Sequence, residues 1–160
     1  MKQLDRRTRL ERYLRGELTW AEVEGITWEQ ARAIAETGCE LARQGRLEEA
    51  RVLFEGLTEV NPRDAASRAA LGTVYQQLGR EDDALREYTR VLERDAMHPV
   101  ALANRGELYL RRGEQRRGLT DVAHAVEADP RGDTPAGRRA RALLQALTAV
   151  EDGKEAPPAA

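Results

Sequence analysis

Hydrophobic positions along this chain recur on two scales. Within segments, apolar side chains return every three or four positions, the period of one helix face. Between segments the pattern itself repeats at 34 residues. Gly38, Gly72 and Gly106 share one register, and Gly45, Gly79 and Gly113 share another. Phe54, Tyr88 and Val122 form a third, and Leu57, Val91 and Ala125 a fourth. A period in this range marks a solenoid of helix pairs. The expected fold class is all-α: a superhelix of antiparallel helix pairs with helical flanks.

Three repeats are expected over residues 31–132. In the first, residues 31–64, Ile34, Gly38 and Leu41 share a face, and a second helix from Leu47 or Glu48 buries Ala50, Leu53, Phe54 and Leu57. Asn61-Pro62 stops it, because proline cannot donate to the helical ladder and disfavours a helical residue before it. The second repeat, residues 65–98, places Leu71, Gly72, Val74, Tyr75 and Leu78 on one helix. Its other helix carries Ala84, Leu85, Tyr88, Val91 and Leu92. The third, residues 99–132, opens at Pro99, whose missing donor costs nothing at a helix start. It carries Leu102, Gly106, Tyr109 and Leu110, then Leu119, Val122, Ala125 and Val126. A helical glycine costs about 0.5–1 kcal/mol against alanine. Three at one spacing imply a packing reason: close crossing of paired helices, with Ala50 and Ala84 opposite. Gly118 takes the alanine place in the third repeat, which is therefore expected to be the least stable.

The flanks complete the array. Residues 1–30 read as an amino-terminal helical flank and dimerisation segment. Leu4, Leu10, Tyr13, Leu14 and Leu18 give an amphipathic helix that Gly16 interrupts. Thr19 with Glu22, and Thr27 with Gln30, fit capping boxes. Trp20, Val23 and Ile26 form a cluster between them. Residues 133–150 read as a capping helix with Ala140, Leu143, Leu144 and Leu147 on one side, because solenoid ends need covering. Residues 151–160, with Pro157-Pro158, are expected to be a disordered tail.

Composition narrows the chemistry. Of 160 residues, 41% are hydrophobic, 34% charged and only 4% aromatic, so the core is built from Leu, Val and Ala. The net charge of −2 gives no general reason to expect nucleic acid. The first 15 residues hold six cations against two carboxylates. No base-reading motif accompanies them, and the outer face of a docking helix is the simpler reading. One cysteine, Cys39, rules out an internal disulfide and fits a reducing compartment. No apolar stretch suggests a leader or a stable membrane insertion, so a cytoplasmic location is expected. His98 and His124 lack ligand-like partners at metal spacing, and no glycine loop precedes Gly-Lys-Ser/Thr. Glu48-Glu49 and Glu81-Asp82-Asp83 open second helices, where they suit the positive helix end. No catalytic residue, metal or cofactor is expected, and the chain reads as no enzyme.

The repeat resembles the tetratricopeptide repeat. Gly38, Leu41, Ala50, Phe54 and Pro62 fill its places, followed by Gly72, Tyr75, Ala84 and Tyr88, then Gly106, Tyr109, Gly118, Val122 and Pro130. The departures are Arg68 and Leu102 where tryptophan is frequent, Gly118 for alanine and Ala96 for proline. The arrangement with its flanks also resembles the cytoplasmic chaperones of type III secretion translocators. Val23-Glu24-Gly25-Ile26-Thr27, Gly38, Leu41, Gly45-Arg46, Glu49-Ala50, Phe54 and Pro62-Arg63-Asp64 carry that likeness.

The resemblance implies binding of a protein partner, as an extended segment of a translocator, on the concave face lined by first helices. A scaffold or adaptor in a larger assembly is the alternative. Counting positions along those helices gives a groove of Arg32, Ala35, Glu36, Cys39, Ala42 and Arg43, then Ala66, Ala69, Ala70, Thr73, Gln76 and Gln77, then Val100, Ala103, Asn104, Glu107, Leu110 and Arg111. Gln76, Gln77 and Asn104 would hydrogen-bond an extended peptide's amides. Ala35, Cys39 and Ala70 stand where a clamp for a terminal carboxylate needs Lys or Asn, which argues against that subclass. The resemblance also implies a homodimer, for which Leu10, Tyr13, Leu14, Trp20 and Ile26 are the candidates.

Overall fold

A computed structural model describes residues 5–151 of the chain. The described residues form nine helices and no strand: α1 (Arg6–Leu14), α2 (Trp20–Glu24), α3 (Trp28–Arg43), α4 (Leu47–Val60), α5 (Ala65–Gln77), α6 (Glu81–Leu92), α7 (Pro99–Arg111), α8 (Gln115–Ala128) and α9 (Pro135–Glu151). They divide into two compact units after Arg80. Residues 1–4 of the amino-terminal flank and residues 152–160 of the expected tail lie outside the described residues. The all-α class of stacked helix pairs is the one the 34-residue spacing predicts.

In the first unit the local signals are satisfied one by one. Asp5 caps α1 by accepting from the Thr8 amide. Both capping boxes form, Thr19 with Glu22 and Thr27 with Gln30. Gly16 and Gly45 adopt φ of 74° and 77°, the left-handed geometry that glycine tolerates best. At the α3–α4 crossing a Cβ on Gly38 would stand 2.9 Å from the Phe54 ring. The glycine therefore makes room for an aromatic ring rather than for Ala50. Phe54 is 1% exposed, and burying such a side chain contributes roughly 2–3 kcal/mol. Ala50, Leu57, Leu71, Val74 and Tyr75 are buried with it, as is Val23 of α2, a helix that packs on α4. Ile34, expected in that core, is 37% exposed, and Leu41 and Leu53 are only half-buried. Gly38 is the one buried residue of α3.

Polar groups tie the same unit together. Tyr75 Oη donates to Glu55 Oε1 at 2.5 Å, and Arg51 donates to the same carboxylate. Burial works against the charged form of Glu55, but these two donors hold its carboxyl below the ordinary value. The basic stripe of α1 is largely answered within the chain. Arg6 pairs with Glu24, Arg7 with Glu11, and Arg12 and Arg15 with Glu17.

In the second unit, α7 and α8 cross on glycine from both sides. A Cβ on Gly106 would meet Val122 Cγ2 at 2.8 Å and the Gly118 carbonyl oxygen at 3.1 Å. One on Gly118 would meet Leu110 Cγ at 2.5 Å and the Gly106 carbonyl oxygen at 3.0 Å. Gly118 is thus the residue this close approach requires, not an alanine lost. Leu102, Ala103, Val122, Ala125, Ala136 and Ala140 form one buried cluster, with Leu143 and Leu144 of α9 packed against it. Arg105 reaches across with Nε to Asp121 Oδ2 at 2.6 Å and Nη2 to Oδ1 at 2.9 Å, a bidentate pair. Asp129 then fixes the α8–α9 turn by accepting from the amides of Asp133 and Thr134 and from Thr134 Oγ1. The hydroxyl and amides of Thr134 and Asp133 lower its carboxyl pKa to about 2.

Candidate functional site

Each first helix presents its expected face differently. On α3, Arg32, Cys39 and Arg43 are exposed, and Ala35 and Ala42 are half-buried. Arg32 Nε pairs with Glu36 at 2.8 Å, and Arg43 pairs with Glu40 at 2.6 Å. Ion pairs this exposed orient side chains more than they stabilise the fold. Between them lies a floor of alanine, cysteine and alanine. On α5, which packs beside α3 in the same unit, Ala66 and Gln77 are exposed and Ala70, Thr73 and Gln76 are half-buried. Thr73 Oγ1 donates to the Ala69 carbonyl at 3.1 Å.

Three expected groove residues are not on a surface. Ala69 is 3% exposed, Ala103 0% and Asn104 4%. On α5, Ser67, Ala69, Leu71, Gly72, Val74 and Tyr75 are all buried, which takes up more than half the circumference of a helix turning 3.6 residues per turn. Ala69 falls inside that wide buried sector. Ala103 belongs to the cluster that α9 closes. Asn104 spends its carboxamide internally: Nδ2 donates to Tyr88 Oη at 3.0 Å, and Oδ1 accepts from Arg139 Nη2 at 2.6 Å. Both ends of that carboxamide are thus engaged inside the fold, where Asn104 is only 4% exposed. The sequence count took every first helix as open on one side, whereas α9 lies over that side of α7.

The rest of α7 is similarly committed. Val100 and Leu110 pack against the buried cluster. Glu107 accepts from Arg139 Nε at 3.2 Å, and Arg111 pairs with Glu81 at 3.3 Å. Of the residues expected there, only Arg111 is exposed.

Two residues were missed. Trp28 opens α3 at 69% exposure, with the Arg32 guanidinium 5.5 Å from its ring centroid. It precedes Arg32, Ala35 and Cys39 by four, seven and eleven positions, so it continues their stripe. The Thr27–Gln30 capping box carries the signal, since it starts the helix at Trp28 rather than at Ala31. Arg139 of α9 is the other: its half-exposed guanidinium is held by Asn104 and Glu107. No local pattern announces it, because the partner residues lie 35 and 32 positions away.

Of the dimerisation candidates, Leu14 is 82% exposed and Tyr13 40%, while Leu10, Trp20 and Ile26 are half-buried. Tyr13 and Trp20 meet edge to face with centroids 5.5 Å apart. Among the described residues no group of three His, Cys, Asp or Glu could hold a metal ion. No described helix is long and apolar enough to cross a membrane.

Comparison with known proteins places these repeats. Residues 41–105 match the family model for the tetratricopeptide repeat. Tetratricopeptide repeat protein 14 of Mus musculus is 36% identical over 83 residues, 52% of this chain. The chain spans about a tenth of the length of that curated relative, a match to 10% of it. Among solved structures, the type III secretion translocator chaperone SycD of Yersinia enterocolitica superposes with a TM-score of 0.72 at 21% identity, over 81% of this chain and 98% of that one. A chain of a type III secretion complex from Aeromonas hydrophila gives 0.76 at 20%, over 91% and 98%. PcrH of Pseudomonas aeruginosa, in complex with the chaperone binding region of PopD, gives 0.69 at 23%, over 80% and 98%. The likeness to these three structures is one of fold.

Proposed function

We propose that this chain is a non-enzymatic, cytoplasmic protein-binding module that holds an extended segment of a partner, as a chaperone of the type III secretion translocator kind. The observation that carries the reading is the α3–α5 face. It is exposed, floored by Ala35, Cys39, Ala42, Ala66 and Ala70, and edged by Trp28. Small side chains leave depth for a partner's larger ones, and an exposed aromatic at the edge suits an apolar anchor. The fold likeness supports the same reading, since SycD has been solved in complex with a peptide of the translocator YopD, and PcrH in complex with the chaperone binding regions of PopD and PopB.

The test is selection of displayed random linear peptides on the full chain, followed by affinity measurement. Peptides that bind, and that lose binding to Ala66→Glu and Cys39→Arg at unchanged helicity, support the face. Peptides that bind both variants equally would place recognition elsewhere, and a chain that selects none would remove the reading.

Self-association belongs to the same proposal. No residue of α1 is buried, and Leu14 and Tyr13 leave an apolar edge uncovered in the single chain. Sedimentation of the full chain should give a dimer that the double change Tyr13→Glu and Leu14→Glu converts to monomer. A monomeric parent chain would end this part alone.

A further inference from the structure

The 34-residue register puts Asp64 and His98 in equivalent places, each immediately before the first helix of a repeat. Both act as N-caps. Asp64 accepts from the amides of Ala66 at 3.1 Å and Ser67 at 3.3 Å. His98 Nδ1 accepts from the Ala101 amide at 3.3 Å. The two caps differ in what a proton does to them. An imidazole accepts only as the neutral tautomer protonated on Nε2; imidazolium carries two N–H donors and no acceptor.

We propose that His98 is a proton-sensitive cap, holding the first turn of α7 while neutral and releasing it as the imidazole protonates. The first turn has few substitutes. Pro99 has no amide hydrogen, and the backbone bond from Leu102 N to the His98 carbonyl starts one residue beyond Ala101. Protonation acts twice in the same direction. It removes the acceptor for Ala101, and it sets a positive charge against the positive end of the α7 dipole.

The charged groups of the neighbouring elements are engaged with one another or exposed. On α6, which precedes it, Asp82 pairs with Arg112, Glu81 with Arg111 and Arg112, Asp83 with Arg86, and Glu87 with Arg90. Glu93 and Arg94 beyond them are exposed. Asp95 gives its carboxylate to the Met97 amide and its carbonyl to His98 N. On α7 itself the first charged residue is Arg105, held by Asp121 of α8; Glu107 follows, held by Arg139, and Arg111 and Arg112 lie at the far end. At the start of α8 its N-cap Glu114 pairs with Arg117, and on the helix Arg116, His124 and Glu127 are exposed. On α9, Arg139 holds Asn104 and Glu107, while Arg138 and Arg141 donate to turn carbonyls. No carboxylate in these contacts is given to His98 to stabilise its cation.

The cap holds while the imidazole is neutral and is lost once it is protonated. Imidazoles in general change charge between about pH 5 and about pH 8, and that range is the window for the test. The consequence is local, at the turn that feeds Ala101 and Leu102 into the core. It does not depend on what the α3–α5 face binds.

The experiment is amide hydrogen exchange of the full chain by NMR across that pH window, corrected for intrinsic exchange. The Ala101 amide should lose roughly fivefold protection, the equivalent of one N-cap, while amides of α4 hold theirs. His98→Asn keeps a neutral acceptor and should abolish the drop while retaining His124. A drop of equal size in His98→Asn, or none in the parent chain, would overturn the proposal.

Discussion

In α3, 16 residues long, only Gly38 is buried; in α7, 13 residues long, six residues are. Both helices open a repeat, and both carry the crossing glycine at the same register. The difference lies in what surrounds them. α7 is packed by α6, α8 and α9. α3 is packed by α4 and α5, while α2 turns to α4 and α1 to α2. Among the described residues, five of the six exposed large hydrophobics, Tyr13, Leu14, Trp28, Ile34 and Val52, fall in the first unit, against Met97 in the second. One repeat position is therefore core or surface according to whether another helix follows to cover it. Function is to be sought where the cover is missing.

The largest test of that contrast puts a charge at equivalent faces. Ala103→Glu would bury a carboxylate in the cluster closed by α9, and an unpaired buried charge costs several kcal/mol. The second unit should fail to fold as a unit, read by loss of a cooperative thermal transition. Ala66→Glu, on exposed α5 surface, should stay within about 0.5 kcal/mol of the parent. Similar losses in the two variants would erase the distinction between open and closed faces.

The crossing glycines give a smaller contrast. Gly106→Ala meets backbone, the Gly118 carbonyl oxygen and Val122 nitrogen both at 3.1 Å, so the helices must separate. Overpacking of this kind costs about 1–3 kcal/mol. Gly38→Ala meets only the Phe54 ring. A ring can tilt, and the better helix propensity of alanine returns about 1 kcal/mol. Urea melts should show Gly106→Ala as the more destabilised, and the reverse order would show that α3 and α4 are the tighter pair.

How far the sequence revealed this depends on the range of the interaction. Periodicity, Gly45, Gly79 and Gly113, Pro99 and both capping boxes were legible because each acts within a few residues of itself. The site was less so. Arg32, Cys39 and Arg43 are exposed, but Ala69, Ala103 and Asn104 are inside. Their burial depends on helices brought in from far along the chain, and Arg139 reaches Asn104 from 35 residues away. An alanine on a helix reads the same in either setting. Gly118 misled for the same reason, since its need for space comes from Leu110 and Gly106 across the crossing.

Acid should separate the two units again, more gently. The Asp129 carboxyl titrates near about 2 because Thr134 and Asp133 hold its charged form. A lowered folded value gives stability that is present above the unfolded carboxyl range, about 3.9, and lost as pH falls through the folded one. Between about pH 4 and about pH 2 the α8–α9 turn should loosen in the parent chain. Asp129→Asn should lack that step, followed by amide exchange at Asp133 and Thr134. A parent-like acid response in Asp129→Asn would assign it to other carboxylates.

The smallest expected effect is the most telling for the first unit. Trp28 is a large apolar side chain left 69% in water, touching the Arg32 guanidinium over its ring. An exposed cation–π contact contributes about 0.5–1 kcal/mol, and the side chain fills no core position. Trp28→Ala should therefore leave urea unfolding nearly unchanged, while the peptides selected on the α3–α5 face bind it several-fold more weakly. A residue that serves the fold shows the opposite ratio, a large stability loss with affinity following it. If Trp28→Ala destabilises the first unit by more than about 2 kcal/mol, as loss of a buried large side chain does, the tryptophan is structural. The open face would then end at Arg32.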